Sequence, residues 1–572
     1  MFPKIKIITD KVVLNESDIL KDINDNYHNY FKSISSNLND ITSHNYKFIN
    51  NFKINKTFLW YSNNLFERNI NKGSLINNFL ISTYINKLLS QNIKILIIEC
   101  NSKDILMYLR NLNPNIKLKI KNKFNIFKFY NSFYLLRSII FFFKIFYTKI
   151  KVKNDKSYIP SLKQSNNLIF VPYENQMNNA KIYKSNQLGS FMEELLKIHK
   201  SKMTYIHYLP SLNVKYNNDL FSFLNSSNKD NKYHLNLEIL SYYDIFLSLY
   251  YLFKFYISKI KYTKQIKSYL VKQNKEYLYY LLKNDLLNIF SGPILLQNII
   301  DIIIFNKINK IIKDNCRIFY IFENQFWEKN LLQVLKSKNN RNITGVQNTP
   351  PKLWDSSLYL DYGSKLINRL IFPNFILYSS NIYLDLISIS NKNLYPKLIY
   401  VESTRYHFLK FKKNIGTKNN ILIMGDGNSS NNLILNNFVK SVFNMHDFNF
   451  TYRKHPYINK DKFILPNSLN QIDIDLINNK FAIISNSSNS YIEIIYSNSI
   501  PLVLNTDAQA NQSIFKILNL TKFIMDNNHN LTLNIKNYCI NIDNTVFKNI
   551  INKIILIDTS YTKLISFFKE KL

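Results

Sequence analysis

Short apolar runs alternate with helix-like stretches between residues 421 and 504, and this alternation constrains the fold more than any other feature of the chain. Four runs have the length and composition of buried strands: Ile421 to Met424, Phe448 to Tyr452, Phe481 to Ile484 and Leu502 to Leu504. Two helix-like stretches lie between them, Asn431 to Phe443 and Tyr491 to Ser497. Because strands that alternate with helices pair in parallel, the sequence predicts a parallel, doubly wound α/β sheet.

Polar motifs follow these predicted strands at the points where the strands end. They are Gly425-Asp426-Gly427, Arg453-Lys454-His455-Pro456 and Ser485-Asn486-Ser487-Ser488, with Glu493 further along the next helix. Ligands of open α/β sheets bind outside the carboxyl ends of the strands, so these motifs should line one site. The helix after Ser488 would direct free N–H groups and a positive dipole end to the same place, which suits a phosphate. Serine is also a common N-cap residue, and both roles can coexist.

Glycine is scarce in this chain, with 8 residues in 572. Two of them fall in Gly425-Asp426-Gly427, which indicates a tight turn where a ligand or another backbone segment comes close. A turn without a ligand is the alternative interpretation.

The order of these motifs resembles the C-terminal half of GT-B glycosyltransferases that build bacterial surface polysaccharide, especially those that use nucleotide-activated sialic acid, Kdo or glycerol phosphate. The resemblance implies that His455, Ser487 and Ser488 face the donor phosphate and that Glu493 reaches the ribose. It also implies a donor pocket formed by the residues of the three motifs: Gly425, Asp426, Gly427, Arg453, Lys454, His455, Pro456, Ser485, Ser487, Ser488 and Glu493.

Three earlier segments resemble landmarks of a family of surface-carbohydrate biosynthesis proteins: Phe322 to Glu328, Gly345 to Thr349, and Val401 to Tyr406. Members of that family carry an acidic strand end with a Trp-Glu pair, a Gly-aromatic-Gln-His segment, and an Arg-Tyr before the last domain. This chain has Asn348 and Val346 where His and an aromatic residue are usual. The resemblance implies an acceptor side formed by Gln325, Trp327, Gln347 and Asn348, without a proton-transfer role for Asn348.

Glu323 follows a continuous apolar strand, Arg317 to Phe322, on the predicted acceptor side. Inverting glycosyl transfer needs a base for the attacking hydroxyl, and a carboxylate at this strand end can serve. Glu328 is the competing carboxylate, with orientation of the loop as its alternative role. His455 could stabilise the departing nucleotide as negative charge builds on it. We therefore predict Glu323, Glu328 and His455 as catalytic residues, although a salt-bridged Glu323 or a structural His455 would fit the same positions.

We expect no metal and no cofactor. Asp473-Ile474-Asp475 matches a metal-binding Asp-x-Asp pattern but precedes a short polar turn that does not have the context of such sites. Cys100, Cys316 and Cys539 are too widely separated for a metal spacing or a disulfide framework, which suits a reducing cytoplasm.

The start of the chain does not have the long apolar core of a signal peptide, so we expect the protein inside the cell.

The formal net charge is +36. Much of the lysine accompanies an excess of Asn, Ile, Tyr and Phe that is typical of A+T-rich genomes. The chain contains neither a basic-aromatic module nor a zinc pattern of nucleic-acid-binding folds, so we do not expect nucleic acid as the partner. An anionic membrane face or an anionic glycan explains functional charge better.

Three units are expected: an N-terminal α/β domain at 1–160, an acceptor-side Rossmann-like domain at 161–408 with a helical insertion at about 236–300, and a C-terminal nucleotide-sugar domain at 409–572. Strands are expected at Thr57 to Tyr61 and Ile93 to Glu99. Two aromatic stretches, Phe133 to Tyr147 and Ile239 to Ile260, each fit either a buried helix or a helix at a membrane surface.

Together these features predict an α/β fold with two Rossmann-like halves that face each other across a cleft. The predicted function is metal-independent, inverting transfer of a sugar or sugar-like group from a CMP- or CDP-linked donor to a glycan or lipid-linked acceptor at the inner membrane face. Two alternatives remain open: a non-catalytic protein of surface-carbohydrate assembly, and a basic protein that binds membranes or nucleic acid.

Overall fold

The computed structural model describes residues 4–26, 29–30, 33, 36, 47–62, 75–112, 116–120, 133–152, 157–172, 188–198, 202–208, 231–337, 341–347, 349–350, 365–388, 396–406, 409, 417–426, 431–432, 435, 437–438, 448–453, 479–486, 488–505, 513–515, 518–526 and 545–571.

The described strands are β1 Ile5–Thr9, β2 Val13–Leu14, β3 Lys53–Ile54, β4 Thr57–Phe58, β5 Ile95–Cys100, β6 Lys117–Ile120, β7 Asn167–Pro172, β8 Met203–Tyr208, β9 Asn231–Leu235, β10 Arg317–Ile321, β11 Ile343–Gln347, β12 Phe375–Tyr378, β13 Lys397–Tyr400, β14 Thr417–Met424, β15 Asn449–Arg453, β16 Asn479–Ser485, β17 Ile500–Asn505 and β18 Ile524–Asp526.

The described helices are α1 Glu16–Asp25, α2 Leu75–Ser90, α3 Lys103–Leu112, α4 Tyr134–Lys151, α5 Tyr158–Gln164, α6 Phe191–Ile198, α7 Tyr242–Lys272, α8 Glu276–Ser291, α9 Pro293–Ile311, α10 Phe326–Leu335, α11 Lys365–Ile371, α12 Asn381–Ser388, α13 Tyr491–Tyr496, α14 Thr545–Ile554 and α15 Thr562–Lys571.

The N-terminal sheet has the strand order β2-β1-β5-β6. Strand β1 pairs antiparallel with both β2 and β5, and β5 pairs in parallel with β6. The sequence prediction missed β1 and expected a sheet strand at Thr57 to Tyr61. That segment instead forms one arm of a two-stranded hairpin and a 3-10 turn, because its side chains dock on other units of the fold.

The middle sheet consists of parallel strands in the order β13-β12-β11-β10-β7-β8-β9. Every residue of β8 is buried, as expected where helices cover both faces of a parallel sheet. Numbered from its own first strand, β7, this order is 3-2-1-4-5-6-7, which extends the Rossmann order. The direction of strand progression reverses between β7 and β10, and such a switch point opens a crevice at the carboxyl ends.

The C-terminal sheet is also parallel, in the order β15-β14-β16-β17-β18. Numbered from β14, this is the flavodoxin-like order 2-1-3-4-5, with its switch point between β14 and β16. The four strands predicted in this region and the helix at Tyr491 agree with the structure to within a few residues. The predicted α/β class with two Rossmann-like halves is confirmed.

Helices α4, α7, α8 and α9 pack together beside the middle sheet. Helix α9 is the core of this group, with buried side chains on all its faces. Phe52, from the hairpin region, contacts Phe255 and Phe290 with ring centroids 5.0 Å apart in each case. On the same side, Phe58 N donates to Gln333 Oε1 at 3.0 Å, so the hairpin also ties the N-terminal unit to α10.

In the part of the chain that the structure describes, no single helix has both the length and the apolar composition needed to cross a membrane, and one bent pair, Asp285–Ser291 with Pro293–Ile311, passes on those two criteria.

The last helix, α15, returns to the middle sheet. Glu402, which is buried just after β13, accepts hydrogen bonds from Lys563 N at 3.0 Å and Leu564 N at 2.9 Å, which caps the helix start. Phe568 packs on Phe191 of α6 with centroids 5.3 Å apart. Helix α15 therefore contacts the middle domain, although it lies after the predicted domain boundary at 409.

Candidate functional site

Glu323 lies directly beyond β10, at the switch point of the middle sheet. Its side chain is exposed, while Phe322 before it and Asn324 after it are buried. Strand β10 is apolar because both faces are covered, and the first carboxylate past its end is therefore presented to the crevice that a switch point creates. The carboxylate predicted as a base thus occupies the position where open α/β sheets bind ligands.

Glu328 folds back to hold the turn that carries Glu323. Its carboxylate is 1% exposed and accepts three backbone N–H groups, from Glu323 and Asn324 at 3.0 Å each and from Gln325 at 3.1 Å. Lys329 Nζ donates to Asn324 O at 2.8 Å, beneath the same turn. Asn324 has φ 56, in the left-handed region that Asn tolerates. Glu328 therefore orients the turn, and every described partner of its carboxylate is a backbone N–H of that turn.

Burial raises the pKa of Glu328 to about 8, while the backbone N–H donors and Lys329 favour its ionised form. A buried carboxyl that accepts several N–H groups has little freedom to exchange partners. Its hydrogen bonds fix three consecutive backbone N–H groups of the turn.

Gln325 and Trp327 form a chain of hydrogen bonds that ends on Glu323. Trp327 Nε1 donates to Gln325 Oε1 at 3.0 Å, and Gln325 Nε2 donates to Glu323 Oε2. An indole N–H can only donate, so it fixes the amide of Gln325 with its NH₂ towards the carboxylate. Trp327 itself is 2% exposed and stacks on Tyr208 with centroids 4.7 Å apart. Of the four residues predicted on the acceptor side, Gln325 contacts the Glu323 carboxylate and Trp327 holds the Gln325 side chain.

A buried carboxyl group supports Trp327 from below. Asp301 on α9 is 0% exposed and accepts from Tyr208 Oη and from Gln297 Nε2, each at 2.9 Å. Burial raises the pKa of Asp301 to about 7. Asp301 therefore holds Tyr208, the residue on which Trp327 stacks.

The neighbouring strand β11 ends at Gln347, which is half-buried, while Asn348 lies outside the described residues. Close packing against Phe322 explains why glycine occupies position 345 in this strand. A Cβ there would lie 2.9 Å from the Cβ of Phe322, so glycine lets β11 approach the residue that precedes Glu323.

Asp426 and Ser485 meet at the switch point of the C-terminal sheet. Ser485 Oγ donates to Asp426 Oδ2, joining the carboxyl ends of β16 and β14. Asn432 holds the backbone of Asp426 from both sides: Asp426 N donates to its Oδ1 and its Nδ2 donates to Asp426 O, each at 2.7 Å. Gly425 N donates to Arg453 O at 2.8 Å, which attaches the end of β15. Among the described residues of the predicted donor pocket, Gly425, Asp426, Ser485 and Arg453 are therefore joined at the ends of three neighbouring strands.

Arg453 and Glu493 form an ion pair beside this point, with Nη1 and Oε2 3.1 Å apart and both side chains about one-third exposed. The resemblance assigned Glu493 to a ribose, and the structure gives it Arg453 as a partner. Ser490 N donates to Ser488 Oγ at 3.2 Å, so the Ser488 hydroxyl shapes the start of α13. Gly427, Lys454, His455, Pro456 and Ser487 lie outside the described residues.

A short segment, Val401 to Tyr406, follows the last strand of the middle sheet, β13. Thr404 Oγ1 donates to Leu188 O at 2.7 Å, and Ser190 N donates to Thr404 O at 3.2 Å, which attaches the segment to the connection after β7. At its other end, burial raises the pKa of Tyr406, and the negative charge of Glu493 adds to the effect. The Arg405 guanidinium lies 5.4 Å from the ring centroid of Tyr406 and opposes the rise in its pKa.

Sequence reasoning did not identify Asn432, Gly189 or Asp301 as contributors to the site. Gly189 has φ +55, and a Cβ there would lie 1.9 Å from Thr404 O, so only glycine permits the contact with that segment. Because glycine is scarce in this chain, its presence at position 189 could have indicated a site of close backbone contact. Asn432 and Asp301 lie within helix-like stretches and have no signal in the local pattern. Among the described residues, no group of three or more His, Cys, Asp or Glu side chains could hold a metal ion.

No protein-family profile matches the chain, and no curated protein matches it significantly. Solved structures with a similar fold include a trehalose-6-phosphate synthase studied for transfer with retention, with a TM-score of 0.37, 11% identity, and coverage of 71% of this chain and 99% of that chain. The N-terminal domain of Candida albicans trehalose-6-phosphate phosphatase has a TM-score of 0.35, 13% identity, and coverage of 71% and 94%. The calicheamicin glycosyltransferase CalG4 has a TM-score of 0.35, 9% identity, and coverage of 68% and 94%. The similarity is low, and the fold assignment rests on the strand order and pairing described above.

Proposed function

We propose that this protein transfers a sugar or sugar-like group from a nucleotide donor to a glycan or lipid-linked acceptor. The supporting observation is that two parallel sheets each carry a polar cluster at the switch point. Glu323 occupies one switch point, and Asp426 with Ser485 occupies the other. In this proposal one switch point binds the acceptor and the other binds the donor.

In this proposal the C-terminal crevice holds the donor nucleotide. Asp426 is held rigidly by Asn432 and Ser485, and Arg453 supplies a guanidinium that can bind phosphate oxygens in a forked geometry. Glu493 keeps that guanidinium in place before the donor arrives. When a phosphate binds, the guanidinium contributes positive charge near the leaving group, which stabilises the negative charge that builds on the nucleotide.

Glu323 acts in the proposal as the base that takes a proton from the acceptor hydroxyl. Gln325 fixes the direction of its carboxylate, and Glu328 fixes the backbone beneath it, so the base is oriented before substrate binds. A pre-oriented base loses little freedom in the transition state. We propose inversion at the anomeric carbon without a metal, and NMR assignment of the product anomer tests the stereochemistry.

The donor class is tested by thermal unfolding with CMP, CDP, UDP and GDP. A ligand that binds only the folded state raises the unfolding temperature, by mass action. We expect CMP or CDP to raise it, and Arg453→Met to abolish the rise. Lys522→Met, which removes an exposed cation from the same domain, is the matched control. If all four nucleotides shifted the unfolding temperature by the same amount, and Arg453→Met and Lys522→Met responded alike, the support for a donor crevice would be lost.

His455→Ala and the double change Ser487→Ala/Ser488→Ala should weaken nucleotide binding without unfolding the protein. Loss of a charge-assisted hydrogen bond costs about 1.5–3 kcal/mol, which is roughly a tenfold to hundredfold rise in Kd. Isothermal titration calorimetry measures it, with Ser499→Ala, a buried serine after α13, as a control for general loss of packing. Wild-type affinity in both site variants would contradict the assignment of these residues to the phosphate.

We also propose that transfer takes place at the inner face of the cell membrane, where a lipid-linked acceptor would be reached.

A further inference from the structure

Two neighbouring helices, α4 and α7, carry apolar side chains towards solvent. The exposed series of α7 consists of Tyr243, Phe246, Tyr250, Phe253, Ile257 and Ile260, and that of α4 consists of Leu136, Ile140, Phe143, Tyr147 and Ile150. Both series repeat at spacings of three and four residues, which keeps all members of a series on one side of the helix. At 1.5 Å per residue the α7 series spans about 25 Å and the α4 series about 21 Å.

The outer series of α7 lies on the side of the helix opposite to the one that packs on the protein. Helix α7 already buries a different series against the protein, which includes Ile245, Leu252, Phe255, Ile266 and Leu270. It is therefore apolar on two opposite sides, whereas a helix at a protein surface normally has one apolar side. The exposed fractions are large, with Tyr243 at 73%, Ile257 at 77% and Phe143 at 62%. Contiguous exposed apolar surface of this kind marks an interaction site.

The two series form one surface rather than two. The rings of Phe146 and Phe246 lie 5.9 Å apart, and those of Phe142 and Phe246 lie 6.0 Å apart, so aromatic contacts close the seam between α4 and α7. Phe246 belongs to the exposed series of α7, and Phe143 of α4 packs on Phe142 with centroids 5.5 Å apart. We call this surface the aromatic face.

The charges around the aromatic face are positive. Helix α4 contains no carboxylate and four basic residues, of which Lys149 is buried and donates to Leu237 O, and α7 contains six lysines and one carboxylate, Asp244. Asp244 is buried and paired with Lys307, so it contributes no negative charge at the surface. Lys151 Nζ lies 4.3 Å from the ring centroid of Tyr147, which places a cation at the rim of the apolar series.

We infer that the aromatic face docks on a lipid bilayer that contains anionic lipid, with the aromatic and aliphatic side chains inserted at the headgroup level and the lysines paired with lipid phosphates. Tyr side chains with lysine stems that extend their charges outward suit the bilayer interface. A second copy of the same face would bring like charges together, which disfavours self-association. This inference rests on the proposed location at a membrane and identifies the surface that binds the membrane. It does not require sugar transfer.

The test uses the full-length protein with phosphatidylcholine vesicles prepared with and without phosphatidylglycerol, and co-sedimentation as the readout. We expect binding to the phosphatidylglycerol vesicles that weakens as salt is raised. Phe143→Ser/Phe246→Ser/Ile257→Ser should reduce partitioning by at least about tenfold, because three apolar side chains no longer leave water. The matched control is Val12→Ser/Leu366→Ser/Leu384→Ser, which removes three exposed apolar residues outside the aromatic face and should bind normally.

Charge is tested separately with Lys254→Gln/Lys261→Gln/Lys264→Gln on α7. Its matched control is Lys21→Gln/Lys94→Gln/Lys569→Gln, three exposed lysines elsewhere. The α7 variant should lose about tenfold or more in binding at low salt, and the loss should shrink at high salt. The control variant should lose much less.

Three results would overturn the inference: equal binding of the site and control variants, binding that ignores phosphatidylglycerol and salt, or a dimer in analytical ultracentrifugation that the triple-serine change dissociates. Nucleotide-dependent thermal shifts measured on the same variants verify folding. They also separate the proposed nucleotide site from the proposed membrane surface. A variant can lose vesicle binding and keep nucleotide binding, or lose nucleotide binding and keep vesicle binding.

Discussion

Glu323→Gln should lower the turnover of sugar transfer by about 10²–10⁴-fold while the donor nucleotide binds as before. The amide keeps the shape of the side chain and can still accept the hydrogen bond from Gln325 Nε2, but it cannot take a proton from an acceptor hydroxyl. Its position just beyond β10 and the hydrogen bonds that hold it are the reasons for selecting this carboxylate. The measurement is single-turnover transfer with the donor identified by thermal shift, together with calorimetric titration of the nucleotide.

The matched control is Glu570→Gln, an exposed carboxylate on α15, which should keep wild-type turnover. Glu328→Gln distinguishes a positioning role from a chemical one. Its carboxylate accepts three backbone N–H groups, so we expect its loss to lower the unfolding temperature as well as the rate. Normal turnover in Glu323→Gln with a large loss in a stable Glu328→Gln would identify Glu328 as the base. Normal turnover in both would place the base outside this turn.

Asp301→Asn should make stability less dependent on pH. Burial raises the pKa of Asp301 from 3.8 to about 7, so the folded state holds a proton that the unfolded state releases between those values. The free energy of unfolding contributed by this group is therefore present below pH 3.8 and falls as the pH rises to about 7. A difference of roughly 3 pKa units corresponds to about 4 kcal/mol, as an upper estimate. Asparagine does not titrate, so the stability of the variant does not fall across this pH range through this group.

The measurement is urea unfolding of wild type and Asp301→Asn at about pH 4.5 and about pH 8, where the two stabilities should diverge by a large part of that amount. Asp10→Asn, at an exposed carboxylate before β2, is the control and should follow wild type. Parallel pH profiles for wild type and Asp301→Asn would show that Asp301 is ionised in the folded protein. Tyr208 and Gln297 would then be the groups that stabilise its charge.

The strands of the C-terminal sheet were predictable because each is a short apolar run bounded by polar or turn residues. Their burial on both sides leaves a local signal: β14 and β16 contain Ile421 to Ile423 and Phe481 to Ile484, all fully buried. The positions of Asp426 and Glu323 followed from the same signal, because the end of such a run is the end of a strand. Strand β1 was missed because its buried residues alternate with half-buried ones and one neighbour, β5, lies far along the chain.

The partners of the site residues could not be predicted in this way. Glu328 and Trp327 both follow Glu323 within a few residues, yet one binds backbone N–H groups and the other stacks on Tyr208, which lies more than a hundred residues earlier. The same holds for the Arg453–Glu493 pair and for the docking of α15 on the middle domain.

The sequence by itself therefore determined the α/β class, the C-terminal strands and the residues that follow them, because burial of neighbouring residues imposes a short-range periodicity. Only the tertiary structure decided which of those residues meet, which carboxylate is exposed at a switch point and which apolar helix faces remain uncovered. Such contacts join residues from distant parts of the chain, and a contact of that kind leaves no periodic pattern around either partner.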